Sequence, residues 1–326
     1  MKVRGKMQQF AGGTVGVDPW NTAQDIAPDS LASCTLTTGP RIHFELQLDF
    51  TGWFLVKDSR KSTGNGGDEP PSPDAFPLLT ANHHVLLRAR GFRGALRSQA
   101  ERIARTLHGD AGGDPNRPGR SRIVEALFGD IDSQSVLECS PFVDRREAWD
   151  GSDGQPLDGE VRAGKKTALL RREFVAVDRF TGGAAEHLKF DAVAAWRPEL
   201  QGQISLDVRK LARRCAQRKV PPGAAFGLLV LALRDLAQND ITFGFGRGKG
   251  FGECLGRIVG HALPDVTRLL AAWNLTKPLP QQANMPQAPV GGKAPFDGFP
   301  ADACELLLRS VESARDYFKN GIKVDG

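Results

Sequence analysis

Ile42, Phe44, Leu46 and Leu48 alternate with His43, Glu45, Gln47 and Asp49. A period of two collects the apolar set on one face, so an ordered core is expected to open at Arg41 with a half-buried strand running towards Val56. Over residues 92–107 the period lengthens. Leu96, Ala100, Ile103 and Leu107 form one stripe and Arg93, Arg97, Glu101, Arg102 and Arg105 take the rest, which predicts an amphipathic helix. Residues 123–129 read as a short amphipathic segment, and 174–177, 190–196 and 204–208 as strands. Residues 223–236 follow Pro221 and Pro222 and are apolar on most sides, the pattern of a helix buried against a sheet. A last strand is expected from Cys254 to Val259.

The segments between are polar. Residues 57–77 are rich in Ser, Gly, Pro and Asp, and a loop of that length inside a domain is more often functional than idle. Residues 109–120 and 150–166 are further loops, and a Gly-rich loop at 180–185 joins two of the strands. The skeleton of strand, helix, strands, helix, strand is an α+β plan, a ferredoxin-like (RRM-like) split βαβ with long loop insertions. Three regions follow: an extension or linker at 1–40, the domain at 41–262, and a Pro-rich linker with a helical tail at 263–326.

Composition narrows the class. With 326 residues, 40% of them hydrophobic, the chain can bury a real core. A formal charge of +5 only tilts it towards an anionic partner, so local clusters matter more. Five scattered cysteines, none in a CxxC pair, indicate neither a disulfide framework nor a zinc knuckle. No apolar run approaches about 18 residues. Reduced thiols, a cytoplasmic location and no membrane partner are the expectations.

The chemistry concentrates at residues 243–252, where Gly stands at every second position from Gly244 to Gly252 with Arg247 and Lys249 between. Glycines so spaced let backbone N–H groups approach a polyanion, the cations neutralise phosphate, and the neighbouring Phe rings offer faces to bases. Gly248 and Gly250 lie at the centre of this cradle. A dinucleotide loop runs from strand to helix. Here a helix precedes and a strand follows, the wrong order. Arg93 and Arg97, on one face near a helix start, suit phosphate, although a run of charge is also the ordinary solvated face.

Three motifs in this order resemble the RAMP superfamily of CRISPR systems, in particular backbone subunits of type III effector complexes. Phe92-Arg-Gly-Ala-Leu-Arg97 is similar to the family's helix start, Val177-Asp-Arg-Phe-Thr-Gly-Gly-Ala184 to a segment of the backbone subunits, and Gly244–Gly252 to the glycine-rich loop before the last strand. The resemblance implies an RNA-binding subunit, lying along CRISPR guide RNA beside other RAMP subunits and parting guide from complementary target RNA with a thumb-like hairpin. Arg179, Phe180 and Thr181 would lie at or near that thumb. It also implies a loop Asp that cuts target RNA with a divalent metal, Mg²⁺. Asp74 stands nearly the expected distance before Arg93, with Asp58 and Asp68 in reserve on the same loop.

Departures from the pattern matter too. Where the family has small hydroxyls before the helix, this chain has Arg88 and Arg90, so binding there would act through charge. Residues 108–122 contain no Cys, so no zinc is expected. Plainer readings stand beside these. Asp74 also suits a turn after Pro73, and Arg179 an ion pair with Asp178. His83 and His84 raise metal-free acid–base cleavage, but neighbours in extended chain point apart. A guide-RNA maturation endoribonuclease and a catalytically silent scaffold are the alternative functions.

Overall fold

The alternation at 42–48 becomes strand β1 (Arg41–Phe50), with Ile42, Phe44, Leu46, Leu48 and Phe50 buried on one face. A computed structural model describes residues 40–59, 74–108, 113–114, 117–149, 166–177, 180, 182–275 and 299–320. Asp68, Arg179 and Thr181 lie outside them. All described residues belong to one unit, Pro40–Gly326.

In chain order the remaining elements are β2 (Trp53–Phe54), β3 (His84–Leu87), α1 (Ala89–His108), β4 (Gly113–Asp114), β5 (Arg117–Ser121), α2 (Arg122–Phe128), β6 (Leu137–Cys139) and β7 (Phe142–Trp149). Then come β8 (Lys166–Val177), β9 (Ala184–Trp196), β10 (Glu199–Asp207), α3 (Val208–Arg218), α4 (Pro222–Ala237), β11 (Cys254–Ala262), α5 (Val266–Ala272) and α6 (Ala301–Asn320). The sheet runs β11-β1-β10-β7-β8-β9-β2, with β3 also on β7 and β6 also on β10. β1 is antiparallel to both neighbours, Leu46 facing Gly202 of β10 and Ile258 of β11. This is a mixed α+β fold.

Helices α1 and α4 pack together, and Leu96, Ala100, Phe226, Leu228, Leu229 and Ala232 are fully buried. Each such Leu or Phe contributes roughly 1.5–3 kcal/mol of transfer free energy. α6 packs on α4 at close range. A Cβ on Gly227 would sit 2.0 Å from the Ser310 carbonyl oxygen, so only Gly lets the two backbones meet. Ala303, Leu306, Leu307, Ala314 and Phe318 of α6 are buried.

Two expectations change. The short segment at 123–129, expected to be amphipathic, has no solvated face: every residue from Ile123 to Phe128 is buried, Glu125 included, because Arg218 at the end of α3 reaches in to pair with it. Val208, expected to end a strand, opens α3, and residues 209–218 and 137–149, unassigned from the sequence, supply the rest of α3 with β6 and β7. α3 carries the start signal of a helix, Asp207 accepting from the Lys210 N–H at 2.9 Å.

Candidate nucleic-acid interface

Helix α1 begins against the ordinary rule. Its first turn holds no acidic residue, yet Arg88 stands just before it and Arg90 and Arg93 within it, at the positive end of the peptide dipoles. Local sequence that works against its own element is a mark of function. Arg90, Arg93 and Arg97 line one pocket of about 350 Å³ with Gly94, Phe128, Asp130 and residues 133–135. Arg97 is partly spent on structure, its Nε donating to Glu101 at 2.9 Å and its Nη1 to the Gly129 carbonyl at 3.1 Å. Asp130, the acid in the pocket wall, is paired with Arg218 at 2.6 Å. Arg90 and Arg93 hold no ion pair among the described residues. Arg88 is exposed and does not line the pocket.

Phe92, between Arg90 and Arg93, stacks on Phe142 at 4.2 Å and on Phe243 at 5.5 Å. Phe243 opens the Gly loop, so one aromatic stack ties the arginine pocket to it. Within the loop, Gly244, Gly246, Gly250 and Gly252 have positive φ. Phe243 N donates to Gly252 O at 2.9 Å, while Gly252 N donates to Trp53 O at 2.7 Å and Phe245 N to Leu55 O at 2.7 Å. The loop is thus closed on itself and fastened to β2.

This geometry corrects the simple cradle. Phe243 and Phe251 are buried and offer no face to a base; of the three rings only Phe245 is substantially exposed. Lys249 is not directed solely at solvent, since its Nζ lies 4.2 and 4.3 Å from the ring centroids of Phe174 and Phe190. Arg247 is exposed, and a Cβ at Gly248 or Gly250 would meet nothing within 4 Å.

Phe174 and Phe190 face each other across β8 and β9, stacked at 4.8 Å part-way along a long antiparallel hairpin whose root pairs Leu169 with Ala195. Phe180 is fully exposed at its turn. Trp53 and Trp196 meet at 4.4 Å beside the root, and the Arg172 guanidinium covers Trp53 at 4.0 Å. Both indoles are half-buried.

The ends of the 57–77 loop are zipped: Asp58 N donates to Phe76 O at 2.9 Å and Leu78 N to Val56 O at 2.7 Å. Asp58 is 4% exposed, which removes it from a solvent-borne phosphodiester. Asp74 is exposed at the edge of β9. Its backbone N–H donates to Asp191 Oδ1 at 3.1 Å, and its Oδ2 accepts from the Asp191 N–H at 3.0 Å. Burial pushes the Asp191 carboxyl up, but the Asp74 N–H and the Arg171 guanidinium outweigh it and hold the carboxyl below its ordinary value. Asp191 escaped the sequence reading; its signal was an acid inside a strand otherwise apolar around it.

Among the described residues no group of three or more His, Cys, Asp or Glu could hold a metal ion. Asp74 offers one carboxylate oxygen beyond the one bound to β9. That suits Mg²⁺ held largely by water and substrate phosphate rather than by a protein cage. The His84 ring Nδ1 lies 3.0 and 3.1 Å from the carbonyl oxygens of Asp144 and Arg146, a structural engagement. Burial pushes the Cys139 and Cys215 thiols up to about 12, so neither is a nucleophile. No single helix among the described residues is long and apolar enough to cross a membrane.

A family model, the RAMP superfamily, matches residues 63–254, a span that holds Asp74, the arginine pocket, the hairpin and the Gly loop. No curated protein matches the chain.

Proposed function

Because the chain belongs to the RAMP superfamily, we propose that it is a guide-RNA-binding backbone subunit of a type III-like CRISPR effector complex. Its partners are guide RNA, complementary target RNA and sibling subunits. The observation that carries the reading is the convergence of Arg90, Arg93 and Arg97 on one pocket at the positive end of α1. Two clustered cations that hold no ion pair among the described residues, Arg90 and Arg93, beside an Asp130 already paired with Arg218, suit a phosphate chain. The strand order β11-β1-β10-β7, with α1 and α4 packed together, supports a ferredoxin-like core. The β8–β9 hairpin takes the place of the thumb, and Phe180 at its turn would meet the guide–target duplex.

Target cleavage is the second part of the reading. Asp74 would hold Mg²⁺ through its outer oxygen, together with phosphate oxygens of the bound target. A cation there would neutralise charge building on the scissile phosphate during in-line attack. The chain itself fixes Asp74 against β9, while the basic pocket and Arg247 hold the RNA backbone. Asp74 also serves as a structural link to β9. That link favours one rival, a silent scaffold that keeps Asp74 for its fold.

The test uses the full chain assembled with guide RNA. Charge reversal at Arg90 and Arg93 should weaken RNA binding whatever the sequence and flatten its salt dependence. An unchanged salt slope would remove the pocket from the interface. Asp74→Ala should abolish Mg²⁺-dependent target cleavage with affinity within about threefold, since the basic face is intact. Wild-type protein that never cuts complementary target would leave the scaffold reading in place.

A further inference from the structure

Two consecutive residues of β9 hold the two loops that carry the chemistry. The Phe190 ring, with Phe174, receives Lys249 of the Gly loop. Asp191 receives Asp74 of the Asp loop. Ala75 bridges Ala192, and Val193 N donates to Ala75 O at 2.9 Å, so residues 74–75 run along β9 as a short parallel strap.

Resting on the reading of Asp74 as the cleaving carboxylate, we propose that Asp191 is its positioning residue. Asp191 Oδ1 accepts the Asp74 N–H and thereby sets the backbone from which the Asp74 carboxylate projects. Its own backbone N–H takes one carboxylate oxygen of Asp74, so only the other is left to face RNA. Asp191 is itself held, because its Oδ2 pairs with Arg171 on β8. The chain of contacts runs from Arg171 through Asp191 to Asp74, and ties the cleaving group to the hairpin that would part the duplex. A carboxylate on an exposed loop gains its placement from such support, and a loss of placement near 1 Å is costly to a reaction. The Asp74 N–H and the Arg171 ion pair outweigh burial and keep Asp191 an acceptor.

The test is single-turnover target cleavage by the full chain assembled with guide RNA in Mg²⁺, alongside backbone amide exchange at residues 74–76. Asp191→Ala should cut at least about tenfold slower, with target affinity within about twofold and faster exchange at 74–76. Asp191→Asn keeps the Oδ1 acceptor and should stay within about threefold in rate, with slow exchange. Where Asp191→Ala fails to fold, Asp191→Ser, too short to reach the Asp74 N–H, carries the same expectation. The proposal is overturned if Asp191→Ala or Asp191→Ser cuts at the wild-type rate while Asp74→Ala is dead. It is also overturned if Asp191→Asn is as slow as Asp191→Ala with exchange unchanged in both. Undiminished cleavage by Asp74→Ala would instead sink the reading of Asp74. Amide exchange would then judge the strap alone: faster exchange in Asp191→Ala upholds it, and unchanged exchange removes it.

Discussion

The Gly loop separates glycines that build the fold from a glycine free to meet RNA, and substitution can tell them apart. Gly252 has φ +83°, and a Cβ there would lie 1.8 Å from the Phe243 carbonyl oxygen. In Gly252→Ala the left-handed backbone alone costs about 1–2 kcal/mol. Relieving the clash also breaks the bonds from Phe243 N to Gly252 O and from Gly252 N to Trp53 O, each contributing about 1 kcal/mol. The expected loss is about 3–4 kcal/mol. Gly248 has an ordinary φ and open space around its Cβ position, so Gly248→Ala should be neutral or more stable by about 0.4–1 kcal/mol through a less flexible unfolded chain. Urea unfolding with unchanged m measures both. RNA titration then adds the functional half, in which Gly248→Val keeps stability but weakens binding because its branched side chain holds phosphate off the backbone. Equal losses of stability in Gly252→Ala and Gly248→Ala would refute the division. Gly250 is a poorer probe, since its φ of +75° strains any side chain whatever the space.

The two cations of the loop should also behave differently. Arg247→Ala is expected to lower the slope of log affinity against log salt by about one, whereas Lys249→Met should leave the slope nearly unchanged and instead speed amide exchange around Phe174 and Phe190 in the β8–β9 hairpin. Equal slopes lost in both would place Lys249 on phosphate. Stability should also carry a pH signature from Asp144, which is buried with Thr167 Oγ1 donating to its carboxylate at 2.7 Å. Burial raises its pKa above the ordinary 3.8 against the pull of Thr167 and Arg146. The folded state therefore binds the proton more readily than the unfolded chain, so this contribution is full at low pH and is lost as pH rises through the folded value. Asp144→Asn should flatten that fall, read as unfolding free energy from pH 4 upward; a steeper fall would reverse the sign.

The apolar periods carried β1, α1, the buried α4 and the last strand, because side-chain burial repeats with the backbone period of a strand or helix. The segments at Arg93 and Gly248 stood out for a related reason, since dense glycine and arginine are unusual locally, whereas the one at Phe180 was singled out by resemblance to the backbone subunits. Other features needed the tertiary structure. Glu125 is buried only because Arg218, far along the chain, comes to meet it, and no local pattern announces that pairing. Phe243, Phe245 and Phe251 look alike in sequence, yet stacking on Phe92 and burial beside β2 leave one of them exposed. Lys249 and Arg247 are equivalent as charges and are parted by the rings of Phe174 and Phe190. Asp74 could be picked from its loop, but its link to Asp191 spans more than a hundred residues and exists only because the loop lies along β9. Sequence fixes such groups by type, whereas their partners are chosen by strand register, which depends on the fold as a whole.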